Sequence, residues 1–174
     1  MIRRLRLALL LALAILLQTA VFPHLRIGGA APDVALVLTV AVATREGPDT
    51  GAIFGFCAGF LVDLYLQTPL GLSALAFALT GAAVGVLQAG LLRPGRWLPP
   101  VLGALGALFG NLIFIGVGIL AGQDQLRSTH TFQVLGFAIL YDALIAAFVF
   151  PLAVWATRPS LTARTGVAGA GWGA

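Results

Sequence analysis

Long apolar runs separated by short turns make up most of the 174-residue sequence. Proline, glycine and charged residues mark the turns, and the runs between them have the length of helices rather than strands. The pattern therefore predicts six helices followed by a flexible tail. The helices are predicted at residues 5–22, 33–46, 50–66, 71–92, 98–121 and 132–157, and the tail at residues 158–174.

The composition places these helices in a membrane. Hydrophobic residues make up 60% of the chain and charged residues only 9%, against about 25% charged residues in an ordinary soluble domain. A soluble domain of this size needs a polar surface, whereas lipid solvates apolar side chains directly. We therefore predict an all-α membrane protein, a compact bundle of about six transmembrane helices that forms one domain over residues 1–157.

The arginines predict the orientation of this bundle. With six spans and a cytoplasmic N-terminus, eight of the ten arginines fall on the cytoplasmic side, and Arg26 and Arg127 fall outside. Basic residues concentrate in cytoplasmic loops. Residues 33–46 are short for a span, but omitting that crossing would put Arg93 and Arg96 outside and mix the charges. We expect a multi-pass protein of the bacterial inner membrane, with both termini and the tail in the cytoplasm.

The remaining composition argues against several kinds of chemistry. The arginines stand in ones and twos at the ends of apolar runs, whereas nucleic-acid binding requires a basic patch, so we expect no nucleic-acid partner. Cys57 is the only cysteine, which excludes an intramolecular disulfide. His24 and His130 have no metal-site spacing, and no serine lies in a nucleophile motif. We therefore expect no catalytic activity, cofactor or metal.

The third predicted helix carries the most regular pattern in the chain. Four residues recur every fourth position, and residues four apart share one face of a helix. They are Gly51, Gly55, Gly59 and Asp63, and we call them the glycine face. Small residues at this spacing let another membrane helix approach closely. The partner would be a helix of the same bundle, a helix of another protein, or a second copy of the chain.

Asp63 and Asp142 are the acids inside predicted spans. A charge near the membrane centre costs about 2.5–3.5 kcal/mol, so such residues usually face the protein interior. We expect Asp63 near water, four residues from the outer end of its helix, and Asp142 nearer the middle, beside Tyr141. A hydrogen-bonded structural carboxyl is expected at Asp142, with a proton or ion path as the alternative. Its candidate partners are Asn111, Gln18 and Gln88.

Three short motifs follow one another in a fixed order. Pro32-Asp33 opens the second predicted helix, the glycine face ends in Asp63, and Gly71 opens the fourth helix two residues after a proline. The aspartate at the start of a helix can cap its free N–H groups. The chain also has a basic start and six predicted spans. With its motifs in this order, the sequence over residues 1–157 resembles the MreD family of rod-shape-determining proteins.

This resemblance implies a non-enzymatic scaffold subunit of the complex that elongates rod-shaped bacteria. The expected partner is the single-span shape protein MreC, which links the scaffold to the cell-wall glycosyltransferase and transpeptidase pair and to the actin-like filament. The resemblance also implies a fold like the substrate-binding subunits of energy-coupling-factor transporters, so the alternative function is capture of a vitamin-type molecule for transport. A third interpretation, an enzyme that acts on lipid, would need a catalytic dyad, and the sequence contains none. The family tends to have Asn where this chain has Asp142, so no role is transferred to that position.

Overall fold

The computed structural model describes residues 2–21, 24, 32–65, 70–91, 98–120, 122 and 129–157, and six α-helices account for nearly all of them. These helices are α1 (Ile2–Ala20), α2 (Val34–Glu46), α3 (Pro48–Tyr65), α4 (Leu72–Leu91), α5 (Leu98–Leu120) and α6 (Thr129–Thr157). The predicted all-helical fold is thus confirmed for the described residues. The predicted tail, at residues 158–174, lies outside them.

Three of the helices are long and apolar enough to cross a membrane, judged over the described residues. They contain the segments Leu72–Gly90, Val101–Leu120 and Gly136–Thr157. α1 has three arginines among its first five residues, which lowers its apolar character. α2 has only 13 residues and is about 20 Å long at 1.5 Å per residue, less than the ~30 Å hydrocarbon core.

The short helix α2 is the centre of the bundle. It contacts all five other helices, and residues 34–43 are buried without interruption. A helix that is apolar on every side is one surrounded by protein, which accounts for its run of valine, alanine and leucine. Thr39 is the polar residue in this run, and its hydroxyl donates to the carbonyl oxygen of Ala35 at 2.8 Å.

Both ends of α2 have local caps. Asp33 Oδ1 accepts a hydrogen bond from the Leu36 N–H at 3.0 Å, the capping role that the sequence predicts. At the other end Gly47 has a φ of 87°, and its N–H donates to the carbonyl oxygen of Ala43 at 3.0 Å. Glycine adopts this left-handed conformation without a steric penalty. The chain therefore turns within one residue, and α3 begins at Pro48.

The glycine face of α3 lies against α4, and the two helices pack antiparallel. A Cβ added at Gly55 would overlap the carbonyl group of Phe77, and Cβ atoms at Gly51 and Gly59 would likewise meet the backbone of α4. Only glycine leaves room for two helix backbones to approach so closely. The structure therefore places the glycine face against a helix of the same chain.

Arginines gather at one end of the bundle. Arg3 pairs with Glu46, with 3.0 Å between Nη1 and Oε2, so the start of α1 lies beside the end of α2. The guanidinium of Arg6 lies 5.1 Å from the ring centroid of Trp155, near the end of α6. We call this the arginine end; its arginines are Arg3, Arg4, Arg6 and Arg45.

Successive helices run in opposite directions. α2 ends at the arginine end, the turn at Gly47 reverses the chain, and α4 returns along α3. Gly106 of α5 faces Val40 of α2, and Gly110 faces Leu36, so α5 is antiparallel to α2 and starts at the arginine end. Since α6 ends beside Arg6, the six helices alternate in direction. The start of α2 lies beside the middle of α5 and α6, so these two helices extend beyond it.

Candidate functional site

A largely buried polar cluster joins three helices at the start of α2, the terminus of that helix away from the arginines. It consists of Gln18 of α1, Asp33 at the start of α2 and Asp142 of α6. Gln18 Nε2 donates to Asp33 Oδ1 at 3.1 Å, and the backbone N–H of Asp33 donates to Asp142 Oδ1 at 2.7 Å. Gln18 Oε1 accepts from the N–H of Ala35 at 3.0 Å. Asp142 is fully buried.

The polar cluster supplies acceptors for the start of α2. The first N–H groups of a helix have no carbonyl partner within it, and an unsatisfied polar group in an apolar interior costs several kcal/mol. Here Asp33 caps Leu36, Gln18 accepts from Ala35, and Asp142 accepts from Asp33. The cluster therefore ties α1 and α6 to the central helix. Asp142 Oδ2 has no hydrogen-bond partner within the described residues.

Asp63 performs the same task for α4. Its Oδ2 accepts from the N–H groups of Gly71 at 2.9 Å and Ala74 at 3.2 Å, and its Oδ1 accepts from that of Ser73 at 3.0 Å. Gly71 has a φ of 100°, and the turn there brings the start of α4 back to α3. One carboxylate thus binds three N–H groups of the first turn of α4 and fixes the geometry of the α3–α4 hairpin.

The expected position of Asp63 near water was wrong. Only 1% of the residue is exposed, because Gly59 lets the start of α4 come directly against α3 and cover the carboxylate. The closeness of the helices and the burial of the acid therefore have the same cause.

Two of the expected partners of Asp142, Asn111 and Gln18, do not bind it directly. Asn111 donates to the carbonyl oxygen of Ala107 in its own helix at 2.8 Å, and Gln18 binds Asp33 instead. Gln88 and Tyr141 are half-buried on α4 and α6. Sequence reasoning missed the pairing because it looked for side chains, whereas the donor to Asp142 is a backbone N–H group. The proline and aspartate before α2 were the signal that a helix start needed acceptors there.

An apolar groove runs along the outside of α4 and α5, and we call it the α4–α5 groove. It consists of two adjoining cavities of about 390 and 720 Å³ that share Ala83, Leu87 and Phe109. Every side chain that lines it is apolar, and α4 contributes small residues at Ala82 and Gly90. Such a surface accepts lipid chains or an apolar helix.

The described part of the chain holds no group of three side chains able to bind a metal ion. The buried carboxylates described above bind backbone N–H groups and hold helices together. Their geometry is that of a structural framework.

Comparison with known proteins connects this framework to a family. A family profile described as rod shape-determining protein MreD matches residues 1–158, and no curated protein or solved structure matches the chain. The matched range contains all six helices, the glycine face and the polar cluster, and the resemblance indicated by the motifs is confirmed. The chain belongs to the MreD family, whose members act in rod shape determination.

Proposed function

We propose that this protein is a non-enzymatic scaffold that holds MreC in the inner membrane and so supports lateral peptidoglycan synthesis. Through MreC it would connect to the glycosyltransferase and transpeptidase pair and to the actin-like filament. Family membership supports the role in rod shape. The observation that carries the scaffold proposal is the α4–α5 groove, an outward-facing apolar surface on a bundle whose own glycine face is already occupied.

The dimensions of the α4–α5 groove suit a transmembrane helix. Its α4 wall extends from Leu79 to Gly90, which is about 16 Å at 1.5 Å per residue and roughly half of the hydrocarbon core. Ala82, Ala83 and Gly90 allow close backbone approach, and Phe109 provides a large apolar contact on α5. A single-span protein such as MreC can offer about three helical turns to this surface.

Capture of a vitamin-type molecule has weaker support. A pocket for a polar ligand needs several polar groups that converge on an open cavity. The half-buried Gln18 and Asp33 and the buried Asp63 instead bind backbone N–H groups of the helices around them. The proposal retains a fold like that of the transporter subunits but assigns it to protein binding.

The proposal includes six membrane crossings with both termini in the cytoplasm. The alternating helix directions and the concentration of arginines at one end support it, since basic residues favour the cytoplasmic side. Cysteines introduced at Gly95 and Gln125, in a Cys57→Ser background, should react with an impermeant maleimide from the inside and the outside respectively. Labelling of both sites from one side would contradict six crossings.

The scaffold proposal is tested by filling the α4–α5 groove. Ala83 lines both of its cavities, so Ala83→Phe should obstruct the partner helix. Overpacking costs about 1–3 kcal/mol, which corresponds to a roughly 5- to 150-fold loss of affinity. The measurement is co-purification of MreC from native membranes, together with complementation of rod shape in a depleted strain.

The matched control is Ala147→Phe, the same substitution at an exposed alanine of α6. It should preserve MreC binding and rod shape. If Ala83→Phe also retained MreC, the partner would not use this groove. If it lost rod shape with MreC still bound, an activity other than scaffolding would be required.

A further inference from the structure

We propose that a second groove, between α1 and α3, binds an anionic phospholipid. This α1–α3 groove has a volume of about 460 Å³ and opens at the arginine end, where Arg3 and Arg4 line it. Leu7, Leu11 and Phe54 form apolar walls below them. It thus combines a cationic mouth with an apolar channel, the two features that recognise a phospholipid with a negative headgroup. The proposal does not depend on the scaffold function.

One of the two positive charges at the mouth of the α1–α3 groove has no ion-pair partner among the described residues. Glu46 is engaged with Arg3 at 3.0 Å, in the one salt bridge formed by the described residues. This pair holds the Arg3 guanidinium in place at the rim, while Arg4 carries a further positive charge beside it. Arginine offers a planar set of N–H donors that matches the oxygens of a phosphate. Arg4 is therefore the principal candidate for binding the phosphate of a lipid headgroup.

The depth of the α1–α3 groove agrees with a lipid whose headgroup is at the membrane surface. Tryptophan and arginine side chains collect at the level of the headgroups, and the Arg6–Trp155 contact marks that level at this end of the bundle. Leu11 lies seven residues beyond Arg4 on α1, or about 10 Å deeper. An acyl chain that starts at Arg4 would therefore run along Leu7 and Leu11.

The charge of the site selects among lipids. Basic pockets between transmembrane helices bind anionic headgroups, whereas a zwitterionic headgroup carries its own cation and gains less from Arg4. A free phosphate ion shares the headgroup chemistry but leaves the apolar walls uncovered. The site is therefore assigned to phosphatidylglycerol-type lipids, whose headgroup pairs with Arg4 and whose acyl chain covers the apolar channel.

Cys57 provides a direct test, because it is the only cysteine in the chain, is exposed, and lines the α1–α3 groove. The full chain is labelled there with bimane and reconstituted in phosphatidylcholine bilayers that contain brominated phosphatidylglycerol or brominated phosphatidylcholine. Bromine quenches bimane only at short range. We expect stronger quenching by the brominated phosphatidylglycerol. Arg4→Gln should reduce this preference about fivefold, the effect of one arginine near an anionic surface.

Arg45→Gln is the matched control, because Arg45 is exposed at the arginine end but does not line the groove. This substitution should leave the preference for phosphatidylglycerol unchanged. If Arg4→Gln and Arg45→Gln reduced the preference equally, it would come from general surface charge, and the proposed lipid site would be wrong. Equal quenching by the two lipids in the wild type would overturn it too. Excess inorganic phosphate that abolished the preference would assign the arginines to a free anion instead.

A second measurement avoids the label. Unlabelled protein is purified from bilayers that contain both lipids in equal amounts, and the retained lipids are identified by mass spectrometry. The wild type and Arg45→Gln should be enriched in phosphatidylglycerol, and Arg4→Gln should not. Absence of enrichment in the wild type would contradict the proposal, whatever the bimane experiment gave.

Discussion

Replacing Gly55 by alanine adds a single methyl group where the backbones of α3 and α4 meet. The new Cβ would overlap the carbonyl group of Phe77 and lie 2.8 Å from Cγ2 of Thr39 in α2. The carbonyl group belongs to the backbone of α4, which cannot rotate away as a flexible side chain would. The helices must therefore separate, and overpacking of this kind costs about 1–3 kcal/mol.

The same substitution at Gly116 supplies the reference. Apart from the backbone of α5 itself and the two neighbouring residues, no atom lies within 4 Å of a Cβ added there. Gly116→Ala should therefore stabilise α5 through helix propensity, by about 0.5–1 kcal/mol. Gly55→Ala gains the same propensity term, which cancels when the two variants are compared. The difference between their free energies of unfolding is then the packing cost alone, about 1–3 kcal/mol in favour of Gly116→Ala.

The assay is reversible unfolding in mixed micelles of mild detergent and dodecyl sulfate, followed by circular dichroism. Under the scaffold proposal, co-purification of MreC with each variant separates a loss of stability from a loss of binding. If Gly55→Ala were as stable as Gly116→Ala, α3 and α4 would not be in backbone contact along the glycine face, and the packing argument would fail.

Three further predictions concern carboxylates. Asp63→Asn should lower the free energy of unfolding by about 1–3 kcal/mol, because one of the three N–H groups bound there would face the amide NH₂ of asparagine. The control is Asp49→Asn, at an exposed position, which should have little effect in the same unfolding assay. Asp142→Asn keeps an oxygen for the N–H of Asp33 and should cost less than about 1 kcal/mol. Asp142→Ala removes that acceptor and should lower the free energy of unfolding by about 1–3 kcal/mol in the same assay. Equal stability of Asp142→Ala and Asp142→Asn would show that this hydrogen bond contributes nothing.

Local sequence signals were sufficient for much of the fold. The glycine and proline at positions 47 and 48 predict the turn between α2 and α3, since their preferred backbone conformations are properties of the residues themselves. The cap at Asp33 is equally local, because its acceptor and donor are three residues apart. The four-residue spacing of glycines likewise indicates close helix packing without specifying the partner.

Contacts between distant helices could not be predicted in this way. Asp142 and Asp33 are separated by 109 positions, and no periodic pattern connects them. The short length of α2 suggested a weak membrane span. In the structure α2 is buried on all sides and contacts every other helix. Asp63 and Asp142 accept hydrogen bonds from backbone N–H groups at the starts of other helices. Every helix start has such N–H groups whatever its residues are, so the sequence does not show which side chain will bind them.

The separation of Asp33 and Asp142 has a consequence for biogenesis. Translation completes α2 long before α6 exists, so the N–H of Asp33 lacks its acceptor until the last helix has been made. A polar group left unsatisfied in an apolar interior costs several kcal/mol. The final hydrogen bond of the central helix thus forms only in a finished chain, which gives membrane quality control a physical means of distinguishing complete molecules from truncated ones.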